Sequence, residues 1–188
     1  MTLLISSTVP ATSTVSFFGA LGVSLAKMLA HFSIEKKKFK EADREKQIKF
    51  MLAFNELEHY KDMLIKGIDD DAISYESVVD AFKSKDEDTI NRALLTSAMV
   101  AYDMQDASVN ALYYIDKLIE LGNKNLYSDL ICSAILLSSC NEMASLNVLA
   151  NVKGLKDETI KQEYIEKSEK SVKKSKLLKN KVIRMLKK

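Results

Sequence analysis

Residues 86–122 read DEDTINRALLTSAMVAYDMQDASVNALYYIDKLIELG, and their periodicity decides the fold class. Asp86, Glu87 and Asp88 stand where a helix would begin, at the positive end of its dipole. Ile90, Leu94, Ala98, Ala101, Met104, Ala107, Ala111, Tyr114 and Leu118 then recur every three or four positions, which puts them on one face. Gly122 fits a helix stop. A helix of this length with an apolar stripe needs neighbours to cover it.

The pattern continues on both sides. Residues 126–152 carry apolar side chains on more than one face (Leu130, Ile131, Ala134, Ile135, Leu137), as the central helix of a bundle would. Beyond Lys153-Gly154-Leu155, Asp157 is placed to cap a last helix bearing Ile160, Tyr164, Ile165, Leu178, Val182 and Met185. The turns at Gly122 and Gly154 are short, so the helices they join should be antiparallel neighbours. Upstream, no Gly or Pro interrupts residues 34–49, which predicts one helix from about Val15 to Lys66. At ~1.5 Å per residue it would be on the order of 75 Å long. Phe18, Leu21, Leu25, Met28, Phe32 and Phe39 fall near the heptad spacing of a coiled coil. Gly67 and the Asp69-Asp70-Asp71 run read as a break, with Ser74 capping a short helix and Ile73 and Val78 as its hydrophobic staple.

With 5 Gly and 1 Pro in 188 residues and no alternating β-branched run, strands are not expected. The expected fold is all-α: an elongated antiparallel helical bundle with a long N-terminal helix. Its organisation reads as an apolar N-terminal segment, residues 1–34, followed by a helical bundle over 35–188 that ends in a basic amphipathic helix.

The N-terminal segment carries one formal charge between residues 3 and 34, Lys27. A Ser/Thr-rich run holds the only proline, Pro10, and leads into the apolar stretch 15–32. No basic residue precedes that stretch, so a cleaved secretory signal is not expected. Its length approaches the roughly 20 residues of a membrane span, and Lys36, Lys37, Lys38 and Lys40 follow it as the positive-inside rule would ask. Lys27 and His31 argue against burial in lipid. Gly19, Gly22, Ala26 and Ala30 favour close helix packing, which suits a bundle or an oligomer as well.

Charge is divided along the chain. Residues 51–122 carry −9 and residues 123–188 carry +7, although the net charge is only +2. The division suggests an oriented contact, either the basic end docked on the acidic middle or a charged partner. Between Lys170 and Lys188 there are nine basic residues and no acidic one. With no aromatic residues interleaved for stacking, specific nucleic-acid binding is not expected.

Chemistry-bearing motifs are few. Glu56 and His59 have the Glu-x-x-His spacing of one half of a di-iron site, but His31 lacks a glutamate three residues earlier, so the second half is missing. Asp69-Asp70-Asp71 lacks the spaced ligands of a calcium loop. Cys132 and Cys140, about 12 Å apart on one helix at ~1.5 Å per residue, are too far apart for a disulfide. No catalytic residue, cofactor or metal is expected from these signals. The sequence reading is therefore a non-enzymatic structural or interaction subunit, cytoplasmic and oligomeric. Its partner would be itself or another helical protein, met through Phe17, Phe18, Leu21, Leu25, Met28 and Phe32, with Lys173, Lys174, Lys181 and Arg184 as a second surface. The alternatives are a membrane-associated protein resting on anionic lipid and a metal-binding bundle.

Overall fold

The computed structural model describes residues 11–187, with side chains from Thr14 onward; Pro10 and Lys188 lie outside the described residues. The elements are α1 (Ala11–Ile34), α2 (Lys37–Lys40), α3 (Arg44–Ser84), α4 (Glu87–Leu118), a single 3-10 turn (Lys124–Leu126), α5 (Tyr127–Val152) and α6 (Glu158–Leu186). Among the described residues there is no strand. The all-α antiparallel bundle is the architecture expected, and α5 is its centre, packed on α1, α4 and α6, while α3 packs on α1 and α4.

Aspartates start α3, α4 and α6. The Asp86 carboxylate accepts from Thr89 N at 2.8 Å, and that of Asp157 from Thr159 N at 2.8 Å and Ile160 N at 3.1 Å, so N–H groups with no partner inside the helix find one. α4 closes near Gly122, where a Cβ would lie 2.6 Å from the Leu118 carbonyl oxygen, too close for any other residue without a backbone shift.

The expected 15–66 helix does not form, and the heptad-like stretch is not a coiled coil. The chain stops α1 at Ile34 and folds back through α2, so that α3 runs antiparallel beside α1. Lys27 pairs with Glu58, Gly19 faces Leu64, and Ser16 meets Gly67. Side chains make this break, without Gly or Pro. The Ser33 hydroxyl donates to Leu29 O at 2.6 Å and accepts from Asn123 N at 2.8 Å. Asp43 caps α3 by accepting from Glu45 N at 2.8 Å, and Gln47 Nε2 donates to the Phe39 carbonyl at 2.7 Å. The expected break at Gly67 and the three aspartates is absent too, and α3 continues straight through them. Ser74 is no cap: it is buried inside α3, donating to Asp71 O at 3.0 Å and lying 3.4 Å from the Ser97 hydroxyl of α4.

Small residues let α1 sink between α3 and α5. A Cβ on Gly19 would lie 2.8 Å from Cys140 Sγ and 3.0 Å from a Leu64 methyl. Gly19→Val is expected to cost about 1–3 kcal/mol by overpacking, read as a lower urea midpoint with an unchanged slope.

Candidate functional site

The three antiparallel registers bring one set of polar groups to one end of the bundle. Along α3, Ser16 lies against Gly67, so the start of α1, about a turn earlier, comes level with Asp71. Along α5, Gly19 lies against Cys140, so the same start comes level with Asn147. Gly67, Asp71 and Ser74 share one face of α3 at helical spacing. Gly67 is the floor of this junction, since a Cβ there would lie 3.0 Å from both Met104 Cγ and Ser16 Oγ.

Asp71 is 4% exposed and is the one acidic residue buried as a whole among the described residues. Asp116 also tucks its carboxylate away, but that group is taken up by Lys181 and by Lys117 at 3.4 Å. Burying a carboxylate is costly unless the surroundings compensate. The N-terminal end of α1, where a helix dipole favours negative charge, comes level with Asp71 in this register. The hydroxyls of Ser74 and Ser97 are buried beside it.

A groove of about 130 Å³ opens next to this cluster, lined by Met63, Lys66, Gly67, Asp70, Val100, Asp103 and Met104. Lys66 pairs with Asp70 at 2.5 Å. Burial first, then the negative charges of Asp106 and Asp70, hold the Asp103 carboxyl above the usual aspartate range, and Lys66 opposes them. The sign of the stability effect follows. With its folded pKa above the unfolded one, Asp103 penalises the folded state at neutral pH, and the penalty disappears as pH falls through the folded pKa. Asp103→Asn is therefore expected to raise the thermal midpoint at pH 7 and to lose that advantage toward pH 3, measured by calorimetry across the range.

The site thus offers carboxyl and hydroxyl groups together with one lysine. No histidine joins it, because His31 and His59 are exposed elsewhere. Cys140 is buried and its thiol is pushed up to about 12, chiefly by burial, so it is no nucleophile at neutral pH. Among the described residues no group of three or more His, Cys, Asp or Glu could hold a metal ion.

The residues singled out by sequence lie apart from this cluster. Phe17, Phe18, Leu21 and Phe32 are exposed on the outward side of α1, with Leu25 and Met28 half-buried among them. Lys27 turns away from them, its ammonium 4.4 Å above the Phe54 ring and paired with Glu58. Residues Thr14–Ile34 are long and apolar enough to cross a membrane by length and composition, but nearly half of that stretch is buried in the protein. On α6, Lys181 binds Asp116, and Lys174 lines a groove with Tyr102 and Asp106, so these two face α4. Lys173 stands 4.0 Å from Glu169, and Arg184 Nε donates to Asn180 O at 3.3 Å, both within α6. The basic end thus docks in part on the acidic middle.

Comparison with known proteins bears on what the chain does. The family described as Formiminotransferase-cyclodeaminase matches residues 6–170. A methenyltetrahydrofolate cyclohydrolase of Methylorubrum extorquens is 28% identical over 161 residues, 80% of this chain and 75% of that protein. A crystal structure of formiminotetrahydrofolate cyclodeaminase from Thermotoga maritima matches with a TM-score of 0.88 at 27% identity, over 97% of this chain and 90% of that one. These likenesses overturn the reading of a non-enzymatic structural subunit, since the proteins matched over most of the chain are named as enzymes. Sequence reasoning missed the cluster because its members are ordinary helix residues, an aspartate and serines far apart in the chain. The one local signal was an aspartate, Asp71, on the apolar side of α3.

Proposed function

The chain belongs to the formiminotransferase-cyclodeaminase family, and from that premise we propose that it is a soluble cytoplasmic enzyme acting on the one-carbon unit of a tetrahydrofolate. The reaction class is formation or opening of a one-carbon bridge between two folate nitrogens. Closure joins the second nitrogen to the one-carbon group and breaks the carbon's bond to the departing imino nitrogen, which leaves as ammonia after gaining the proton shed by the attacking nitrogen and one more from an acid. Opening adds water to the same carbon as a base takes one of its protons; one carbon–nitrogen bond of the bridge then breaks, the remaining hydroxyl proton passes to the released nitrogen, and the carbon is left as a formyl group on the other nitrogen. The observation that carries the reading is likeness along nearly the whole chain to a cyclodeaminase, together with substantial coverage by a cyclohydrolase.

The Asp71 end supplies groups suited to this chemistry. An ionised carboxylate only accepts hydrogen bonds, which suits the N–H groups of a reduced pterin. Asp103, whose carboxyl holds its proton to higher pH than usual, is the group to deliver or take a proton. Purified full-length protein is to be given 5,10-methenyltetrahydrofolate and, separately, 5-formiminotetrahydrofolate, following methenyl absorbance and released ammonia. Saturable turnover of at least one is expected. Turnover of neither, with no saturable binding of either by calorimetry, overturns the proposal.

A further inference from the structure

α4 and α6 run side by side in the same direction. Tyr102 meets Tyr164 edge-on with centroids 5.8 Å apart, Gln105 Nε2 donates to the Ser168 carbonyl at 3.0 Å, and Asp116 pairs with Lys181. That register sets Asp106 level with Lys170 across a groove of about 230 Å³. The groove shares no lining residue with the one beside Asp71. Its opposite charges face each other without pairing. Among the described residues Lys170 and Lys174 make no ion pair, and the Asp106 carboxylate takes its one hydrogen bond from Asn110 Nδ2, at 2.8 Å.

The floor of the groove holds a donor with nothing to bond. Ser171 is 8% exposed and lines the groove. Its Oγ accepts from the buried Asn141 Nδ2 at 3.0 Å, so the oxygen faces inward and the hydroxyl proton is left over. Among the described residues that proton goes to no acceptor. A buried donor without a partner is costly, and an acceptor arriving in the groove removes the cost.

The groups ask for a ligand with two ends. Lys170, Lys174 and Ser171 offer protons, which suits a carboxylate. Asp106 only accepts. Tyr102 lies one turn before it, close enough that the Asp106 charge adds to burial, the larger cause, in raising the phenol above its ordinary range. A carboxylate beside an aromatic ring suits an ammonium group. A bare oxyanion would satisfy the α6 wall and be repelled by Asp106; a simple amine would do the reverse. We infer that the groove binds a free α-amino acid, with its carboxylate on Lys170, Lys174 and Ser171 and its ammonium on Asp106. The buried Val109, one turn further along α4, offers an apolar contact to the side chain.

Calorimetric titration of the full chain at pH 7 tests this with L-alanine, propionate and ethylamine. The last two are alanine without its ammonium and without its carboxylate. L-alanine should bind saturably, with a dissociation constant on the order of millimolar. Propionate and ethylamine should each bind roughly 10–100-fold more weakly. Asp106→Asn should bring alanine down to the level of propionate, while Ser171→Ala should weaken both. If Ser171→Ala disturbs the bundle, Lys174→Gln, at an exposed position, removes a donor from the same set and should act alike. No saturable binding of L-alanine up to about 0.1 M overturns the inference. So does propionate or inorganic phosphate binding as tightly as alanine, which would make the groove a plain anion site, or alanine binding that Asp106→Asn leaves unmoved.

Discussion

Asp71→Asn is expected to lower kcat/KM for the bridge reaction by about 10²–10⁴-fold while the bundle keeps its shape. The substitution preserves size and removes the charge. If Asp71 holds the N–H groups of the substrate, the loss follows from replacing an anionic acceptor with an amide that presents one carbonyl oxygen and an unwanted donor. The same change relieves the cost of holding a carboxylate at 4% exposure, so the thermal midpoint should stay level or rise. Activity falling while stability holds is the signature of a functional residue kept at some expense of folding free energy. A purely structural Asp71, held by the α1 dipole and its neighbours, would give the reverse: a lower thermal midpoint and unchanged kcat/KM. Steady-state kinetics and calorimetry on one preparation separate the two. Proton transfer by Asp103 has its own readout. Asp103→Asn should flatten the pH–rate profile on the limb that reports its protonation, which a loss of binding alone would not do.

Much of the bundle was legible in the sequence, and the parts that were not share a cause. α4, α5 and α6 could be placed because each carries a local start signal or a sustained 3.6-residue apolar period, and because their turns hold glycine. The N-terminal half misled twice in opposite directions. Gly67 and three aspartates look like a break, yet Gly67 is where α1, α3 and α4 meet, and Asp71 is a buried polar group on an otherwise packed face. Both are tertiary requirements written in residues that local rules assign to loops. Conversely, residues 35–43 look helical throughout, and the turn there is set by Ser33 and Asp43 bonding backbone groups at its two ends and by Gln47 reaching back to the Phe39 carbonyl. The reading of a non-enzymatic subunit failed against the family likeness. A cluster of single aspartates and serines on separate helices has no spacing to detect, and only the antiparallel registers bring it together. The apolar face of α1 was legible because exposure of large side chains at helical spacing survives in the folded monomer.

Phe50→Ala is the second large effect expected, a loss of about 3–5 kcal/mol. Phe50 is fully buried at the first turns of α3, and its ring meets Phe39 of α2 edge-on with centroids 5.3 Å apart. Phe39 is the buried residue of the four-residue α2. This aromatic pair therefore pins the reversal between α1 and α3, and it contributes about 0.5–1.5 kcal/mol beyond the area it buries. A helix of one turn has no stability of its own in water, so α2 persists only while Phe39 is held. Removal of the Phe50 ring should lower the urea midpoint and, before global unfolding, speed hydrogen exchange at the α2 amides and at Phe39 N, which bonds Lys36 O at 3.0 Å. Against total stabilities of roughly 5–15 kcal/mol, the loss is a large share of what holds the chain folded. Leu52→Ala provides the contrast two residues away. Leu52 is 56% exposed, and its removal should change stability by no more than about 0.5 kcal/mol. Equal losses at the two positions would mean that the reversal is not pinned by the Phe39–Phe50 contact and that the α1–α3 hairpin is held along its length by the packing at Gly19 and Leu64 alone.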